Sequence, residues 1–189
     1  MKKKHKDILD KLIYLDIDFI SSKYEEITKN PPTTQITKTE GIKAGAGLSF
    51  INAGIHSQES KTFKLSSHQM LKDIYEELKV YPAFEPKNFE NHQGTQIAWL
   101  EGQFTLGSWG EKDTTESSAY WLYEIRSKNA HYSLITQTQY FSPGFGSLLS
   151  IDTVLRNCID IPVKVLAKLL YSVENIKSFV ACPYLIIEP

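Results

Sequence analysis

Between residues 97 and 141 the apolar side chains recur with a period of two, while on either side they recur every three to four residues, and this switch constrains the fold more than any other feature. Over residues 97–106, Ala98, Leu100, Gly102, Phe104 and Leu106 alternate with Ile97, Trp99, Glu101, Gln103 and Thr105. Residues 119–126 and 131–141 alternate in the same way. Successive side chains of a strand point to opposite faces, so each segment predicts a strand with one face toward a core. A polar loop at 107–118 and a short turn at Ser127-Lys128-Asn129-Ala130 join them, which predicts an antiparallel three-strand meander.

The flanking segments read as helices. Ser66 is placed to cap a helix carrying Met70, Leu71, Ile74, Tyr75 and Leu78, which ends before Pro82. Ile8, Leu9, Leu12 and Ile13 fit a helical face over residues 7–19, and Asp18 reads as the N-cap of a second helix through Ile20, Tyr24 and Ile27. Asn30-Pro31-Pro32 stops it. Beyond the break at Ser142-Pro143-Gly144, helical spacing resumes through Leu148, Ile151, Val154, Leu155 and Cys158. It returns after Pro162 through Leu166, Leu169, Leu170 and Val173, with Lys164 and Lys168 outside. Residues 179–187 read as a terminal strand that Pro183 confines to a sheet edge. The expectation is an α+β fold: a mainly antiparallel sheet, made of the meander and a C-terminal edge strand and open to curling into a partial barrel, packed with N-terminal and C-terminal helices. A length of 189 residues suits a single domain over 1–189.

Residues 31–62 are rich in Thr, Gly and Ser, with glycines at 41, 45, 47 and 54, and read either as a long loop or as a loosely specified hairpin. Long loops of this kind carry contacts with partners, so Gly41, Gly45, Gly47 and Phe50 are the candidate residues for binding a protein partner.

Charge narrows the partners. Lys and Arg total 21 against 22 Asp and Glu, a formal net charge of −1, so no global field recruits a polyanion. Two of those cations are arginines, Arg126 and Arg156, which leaves little of the planar fork that grips phosphate. Trp99, Phe104, Trp109, Tyr120, Trp121, Tyr123, Tyr132, Tyr140 and Phe141 crowd the meander, whose strands carry Arg126 as their one arginine or lysine. The aromatics therefore read as core before they read as a platform for stacked bases, and nucleic acid is disfavoured as a partner.

No motif assigns a catalytic residue. Asp16-Ile17-Asp18 matches the paired carboxylates of magnesium-dependent phosphohydrolases only in part. Gly45-Ala46-Gly47 lacks a third glycine, and Gly107-Ser108-Trp109-Gly110 has the wrong spacing for a nucleophile elbow. The histidines at 5, 56, 68, 92 and 131 share no ligand spacing, and Cys158 and Cys182 form no paired-cysteine motif, so no metal and no cofactor are expected. Glu101, Glu124 and Arg126 are the charged residues inside the meander; they read as outward-facing cross-strand partners and as the candidate contacts for a small ligand. The basic start Met-Lys-Lys-Lys-His-Lys runs into an alternating segment instead of an apolar leader, and no apolar run approaches a membrane span, so the expected location is the cytoplasm.

Tyr14-Leu15-Asp16 followed by Phe19-Ile20-Ser21, the Thr/Gly/Ser-rich segment, the Ser-Ser-capped helix, Glu101-Gly102 in a strand and the late Ile-Pro-Val run together resemble a bacterial family of uncharacterised domains that begin with Tyr-Leu-Asp. The resemblance implies a bacterial cytoplasmic protein and no particular activity. The leading expectation is a non-enzymatic protein-interaction or regulatory domain. The alternative is a small-ligand or nucleotide sensor using Glu101, Glu124 and Arg126, and the third reading is a metal-dependent phosphohydrolase using Asp16 and Asp18.

Overall fold

In the computed structural model, five strands close on one another. The structure describes residues 7–29, 34–39, 58–63, 66–86, 94–109, 120–145 and 159–189. In chain order the strands are β1 (Leu12–Leu15), β2 (Thr34–Thr39), β3 (Gln58–Phe63), β4 (Gln96–Trp109), β5 (Tyr120–Arg126), β6 (His131–Leu134), β7 (Ile161–Val173) and β8 (Ser178–Ile187). The helices are α1 (Ile17–Thr28) and α2 (Ser67–Leu78). β4, β5 and β6 form the antiparallel meander the alternation predicts; β6 then pairs in parallel with β8, β8 antiparallel with β7, and β7 antiparallel with β4, closing the barrel. β1 adds to β8 on the outside, and β2 and β3 pair with each other as a separate antiparallel ribbon. The ribbon takes up the two ends of the Thr/Gly/Ser-rich segment, in line with its hairpin reading; Gly41, Gly45, Gly47 and Phe50 lie outside the described residues.

Two cores result. Inside the barrel Ala98, Leu100, Phe104, Ile125, Tyr132, Val163, Val165, Phe179 and Ala181 pack together. Outside it, Met70, Leu71, Ile74 and Leu78 of α2, Ile20 of α1 and Leu15 of β1 cover Leu166, Leu185 and Ile187 on the other side of β7 and β8. Burying each such side chain stabilises by about 1.5–3 kcal/mol. α2 forms where its pattern predicts, with Ser66 Oγ accepting from Gln69 N at 3.2 Å.

The N-terminal helix does not form as expected. Ile8–Lys11 is a single 3₁₀ turn, and Leu12–Leu15 is a strand, because four consecutive apolar residues can be covered on both faces beside β8. The cap of α1 is Asp16 and not Asp18: the Asp16 carboxylate accepts from Phe19 N at 2.9 Å. The strand expected over 131–141 ends at Leu134 and gives way to a 3₁₀ turn at Thr138–Tyr140.

The larger correction concerns 161–173, which is the long strand β7 and not a helix. Val163, Val165, Ala167 and Leu169 face the barrel interior while Leu166 faces α2, so both faces of its middle are apolar. A strand buried on both sides loses its alternation, and Lys164 and Lys168, four apart, fall on one side under either period. The helix expected over 148–158 lies outside the described residues.

β8 is likewise not an edge strand. One side carries β7; the other carries β6 as far as Ala181 and β1 from Leu185. Pro183 sits where one neighbour hands over to the other, next to a register shift against β7 between Leu166 and Ala167, so its missing N–H interrupts no ladder.

Candidate functional site

β4 outreaches its neighbours, and a pocket forms where it does so. β4 pairs with β7 from Gln96 to Phe104 on one edge and with β5 from Gln103 to Trp109 on the other. Its first half therefore has an edge that β5 does not cover. The segment after α2 fills that edge at one point: Trp99 N donates to Pro82 O and Phe84 N donates to Trp99 O, both at 2.8 Å, as a single parallel bridge of Ala83 to Trp99. Between this bridge and the β5–β6 turn lies a cavity of about 280 Å³, lined by Phe84, Glu85, Trp99, Lys128, Asn129 and Tyr132 with Glu101 at its rim.

The walls are held from several directions. Trp99 Nε1 donates to Leu78 O at 2.9 Å, which fixes the indole against the end of α2. Tyr132 is buried in the barrel with Phe84 edge-on to it at 6.2 Å, and burial pushes its phenol up to about 12. Ser127 Oγ accepts from Ala130 N at 3.1 Å and donates to Ala130 O at 3.0 Å, tightening the turn that carries Lys128 and Asn129. A second hollow of about 230 Å³ adjoins on the far side of Trp99 and Glu101, lined by Tyr75, Lys79 and Lys164. Its cations are engaged: Lys164 Nζ lies 2.6 Å from Glu101 Oε1, and Lys79 Nζ lies 2.5 Å from Glu76 and 4.7 Å above the Tyr75 ring.

Of the three residues expected to contact a ligand, Glu124 and Arg126 lie side by side, and Glu101 is ion-paired with Lys164. Glu101 faces this pocket beside Lys164. Glu124 and Arg126 share the outer face of β5, where Arg126 Nη2 donates to Thr105 Oγ1 at 3.2 Å and Arg126 Nε stands 3.9 Å from Glu124. Ser133, opposite Glu124, bonds to Ser178 at 2.9 Å between their hydroxyls. All three project outward as cross-strand partners, as the alternation predicts, with Glu101 two residues along β4 from Gln103, the partner of Arg126.

The Asp16 and Asp18 carboxylates also work apart. Asp16 caps α1, and burial, then the neighbouring Asp18, pushes its carboxyl up. Asp18 accepts from Tyr140 Oη at 2.5 Å, tying α1 to the segment after β6. Among the described residues no group of three or more His, Cys, Asp or Glu is placed to hold a metal ion. The Cys182 thiol is half-buried and free, and burial pushes its pKa up. Of the meander aromatics, Phe104, Tyr132 and Phe141 are buried, and the side chains of Trp109, Tyr120 and Trp121 lie outside those described.

Sequence reasoning did not find Phe84, Glu85, Lys128 and Asn129 as lining residues. Each lies in a connector, and only the pairing of β4 brings the two connectors together. No known protein family, curated protein or solved structure matches the chain. No helix among the described residues is long and apolar enough to cross a membrane.

Proposed function

We propose that this chain is a binding domain of regulatory kind, and that it works by taking up a small ligand in the pocket between Trp99 and the β5–β6 turn. The observation that carries the reading is the cavity itself: three aromatic walls, Phe84, Trp99 and Tyr132, with polar groups from Glu85, Glu101, Lys128 and Asn129 converging on them. At about 280 Å³ it lies just below the range of drug-sized sites, roughly 300–1,000 Å³, and suits a group the size of one or two rings. The regulatory reading, as opposed to a catalytic one, rests on the lack of a catalytic motif in the sequence.

The order in which the strands close, β4–β5–β6–β8–β7 with β6 parallel to β8, matches the Greek-key order of an OB barrel, a fold that hosts oligonucleotide and oligosaccharide binders. Fold alone does not assign a ligand. The outer face that would carry a nucleic acid here sets Glu124 beside Arg126, which supports a partner other than a polyanion.

A thermal-unfolding screen of nucleosides, bases, amino acids and sugars tests the reading. A true ligand at a hundredfold excess over its Kd stabilises by about 2.7 kcal/mol. The gain disappears in Asn129→Phe, which fills the pocket from an exposed turn position. A panel without effect, or a gain that survives Asn129→Phe, contradicts it.

One observation favours a second reading, capture of a protein partner. Among the described residues β2 and β3 pair with each other and with no barrel strand, and the segment between them is the glycine-rich one. Deleting residues 41–54 then abolishes partner capture and leaves the barrel folded; capture unchanged by the deletion removes this reading.

A further inference from the structure

On the edge of β4 that faces away from β7, the rung at Glu101 has no main-chain partner among the described residues, and it borders the pocket. In a strand, the main-chain N–H and C=O of alternate residues point to the same side. The N–H and C=O of Trp99 point away from β7, to Pro82 and Phe84, and those of Gln103 point to β5, opposite Arg126. The β4–β7 register runs unbroken from Gln96 to Phe104, so the N–H and C=O of Glu101 point the same way as those of Trp99 and Gln103.

Neither neighbour reaches this rung. Continuing the parallel bridge calls for Glu101 N–H to donate to Phe84 O and for a main-chain N–H at residue 86 to donate to Glu101 O; the first bond is not formed, and residue 86 is proline, which has no N–H. Continuing the antiparallel ladder past Gln103–Arg126 calls for Lys128 opposite Glu101, but β5 has already turned back, with Ser127 N donating to Ala130 O at 2.9 Å. Among the described residues no main-chain bond to Glu101 is made on this side. The cavity that Glu101 lines together with Phe84, Trp99 and Tyr132 lies on the side of β4 toward which, by this alternation, the Glu101 N–H and C=O point.

This rung selects its ligand by length and by charge. The occupied rungs at Trp99 and Gln103 are each two residues away, roughly 7 Å along the strand, so an extended peptide running along β4 meets Phe84 at one end and Arg126 at the other. What fits is a single flat group with a donor and an acceptor side by side on one edge and apolar faces for the aromatic walls. With Glu101 paired to Lys164, Glu85 and Lys128 balance at the pocket, so no net positive charge favours an anion there.

We infer that the pocket binds an uncharged heterocycle bearing a cyclic amide edge, of the kind found in uracil and hypoxanthine, which donates its ring N–H to Glu101 C=O and accepts from Glu101 N–H through its carbonyl. This rests on the pocket reading above and adds the chemistry of recognition: the main chain of Glu101 does the reading, and its carboxylate, already paired with Lys164, does not.

The test follows amide resonances of the full-length protein while uracil, hypoxanthine or N,N-dimethyluracil, which lacks the ring N–H, is added. Uracil or hypoxanthine gives a saturable shift of the Glu101 amide and slows its hydrogen exchange at least tenfold. Dimethyluracil gives neither, Glu101→Gln keeps the response, and Asn129→Phe loses it. Shifts confined to the Trp99 indole and Tyr132, with the Glu101 amide unmoved, overturn recognition through the main chain while leaving the pocket reading intact. An equal response to dimethyluracil overturns it as well, and so does the absence of any response to both bases. If the wider panel is also without effect, the pocket reading falls with it.

Discussion

Gly102 lies directly beneath Arg126: a Cβ built on Gly102 would stand 2.5 Å from the Arg126 carbonyl oxygen and 2.7 Å from Ile125 Cγ2. This is the point where β4 parts from β5, and the close approach of the two backbones brings the β5–β6 turn alongside the pocket.

Gly102→Ala therefore forces two backbones apart. Overpacking of this kind costs about 1–3 kcal/mol. Denaturant unfolding of the variant is expected to show a lower midpoint with an unchanged slope, whereas a midpoint equal to that of the parent chain would mean that the crossing is looser than described.

Asp16 is both a helix cap and a half-buried carboxylate, and the two roles separate by substitution. Asp16→Ala removes the cap and costs about 1 kcal/mol, more in acid than at neutral pH, while Asp16→Asn keeps a capping oxygen. Because burial raises the folded-state value of Asp16, its contribution to stability is full below the ordinary aspartate value of about 3.9 and is lost as pH rises through the raised value. The stability of Asp16→Asn relative to the parent chain thus improves from acid to neutral pH. Unfolding midpoints measured at both ends of that range check this, and a constant difference contradicts it.

Alkaline pH reports on the buried tyrosines. Burial raises the phenols of Tyr14 and Tyr132 from 10.0 to about 12, so the stability they contribute is full below about pH 10 and is lost as pH rises toward 12. Thermal unfolding is expected to drop steeply over that interval, and less steeply in Tyr132→Phe. An equal slope in the variant would show that Tyr132 ionises without cost in the folded protein.

The sequence was most legible where one face is buried and the other is not. The alternation of β4, β5 and the start of β6 predicts the meander, and the Ser66 cap with its apolar stripe predicts α2. β7 was not legible because Val163 and Leu166 are buried on opposite faces, and β8 was misplaced because Pro183 argues for an edge until the handover from β6 to β1 is seen. Of the candidate site, Glu101 was legible as a charge inside a strand. Its partners were not, since Phe84, Glu85 and Asn129 lie on connectors that meet only because the pairing of β5 with β4 ends at Gln103, short of Glu101.

The main-chain rung at Glu101 is the center of the account, and amide hydrogen exchange in the ligand-free protein tests it most directly. Glu101 is expected to exchange at least about tenfold faster than Trp99 and Gln103, whose N–H groups face Pro82 and Arg126 respectively. A Glu101 amide that exchanges as slowly as those two flanking residues would mean that the rung is closed, and the proposed mode of recognition would fail with it.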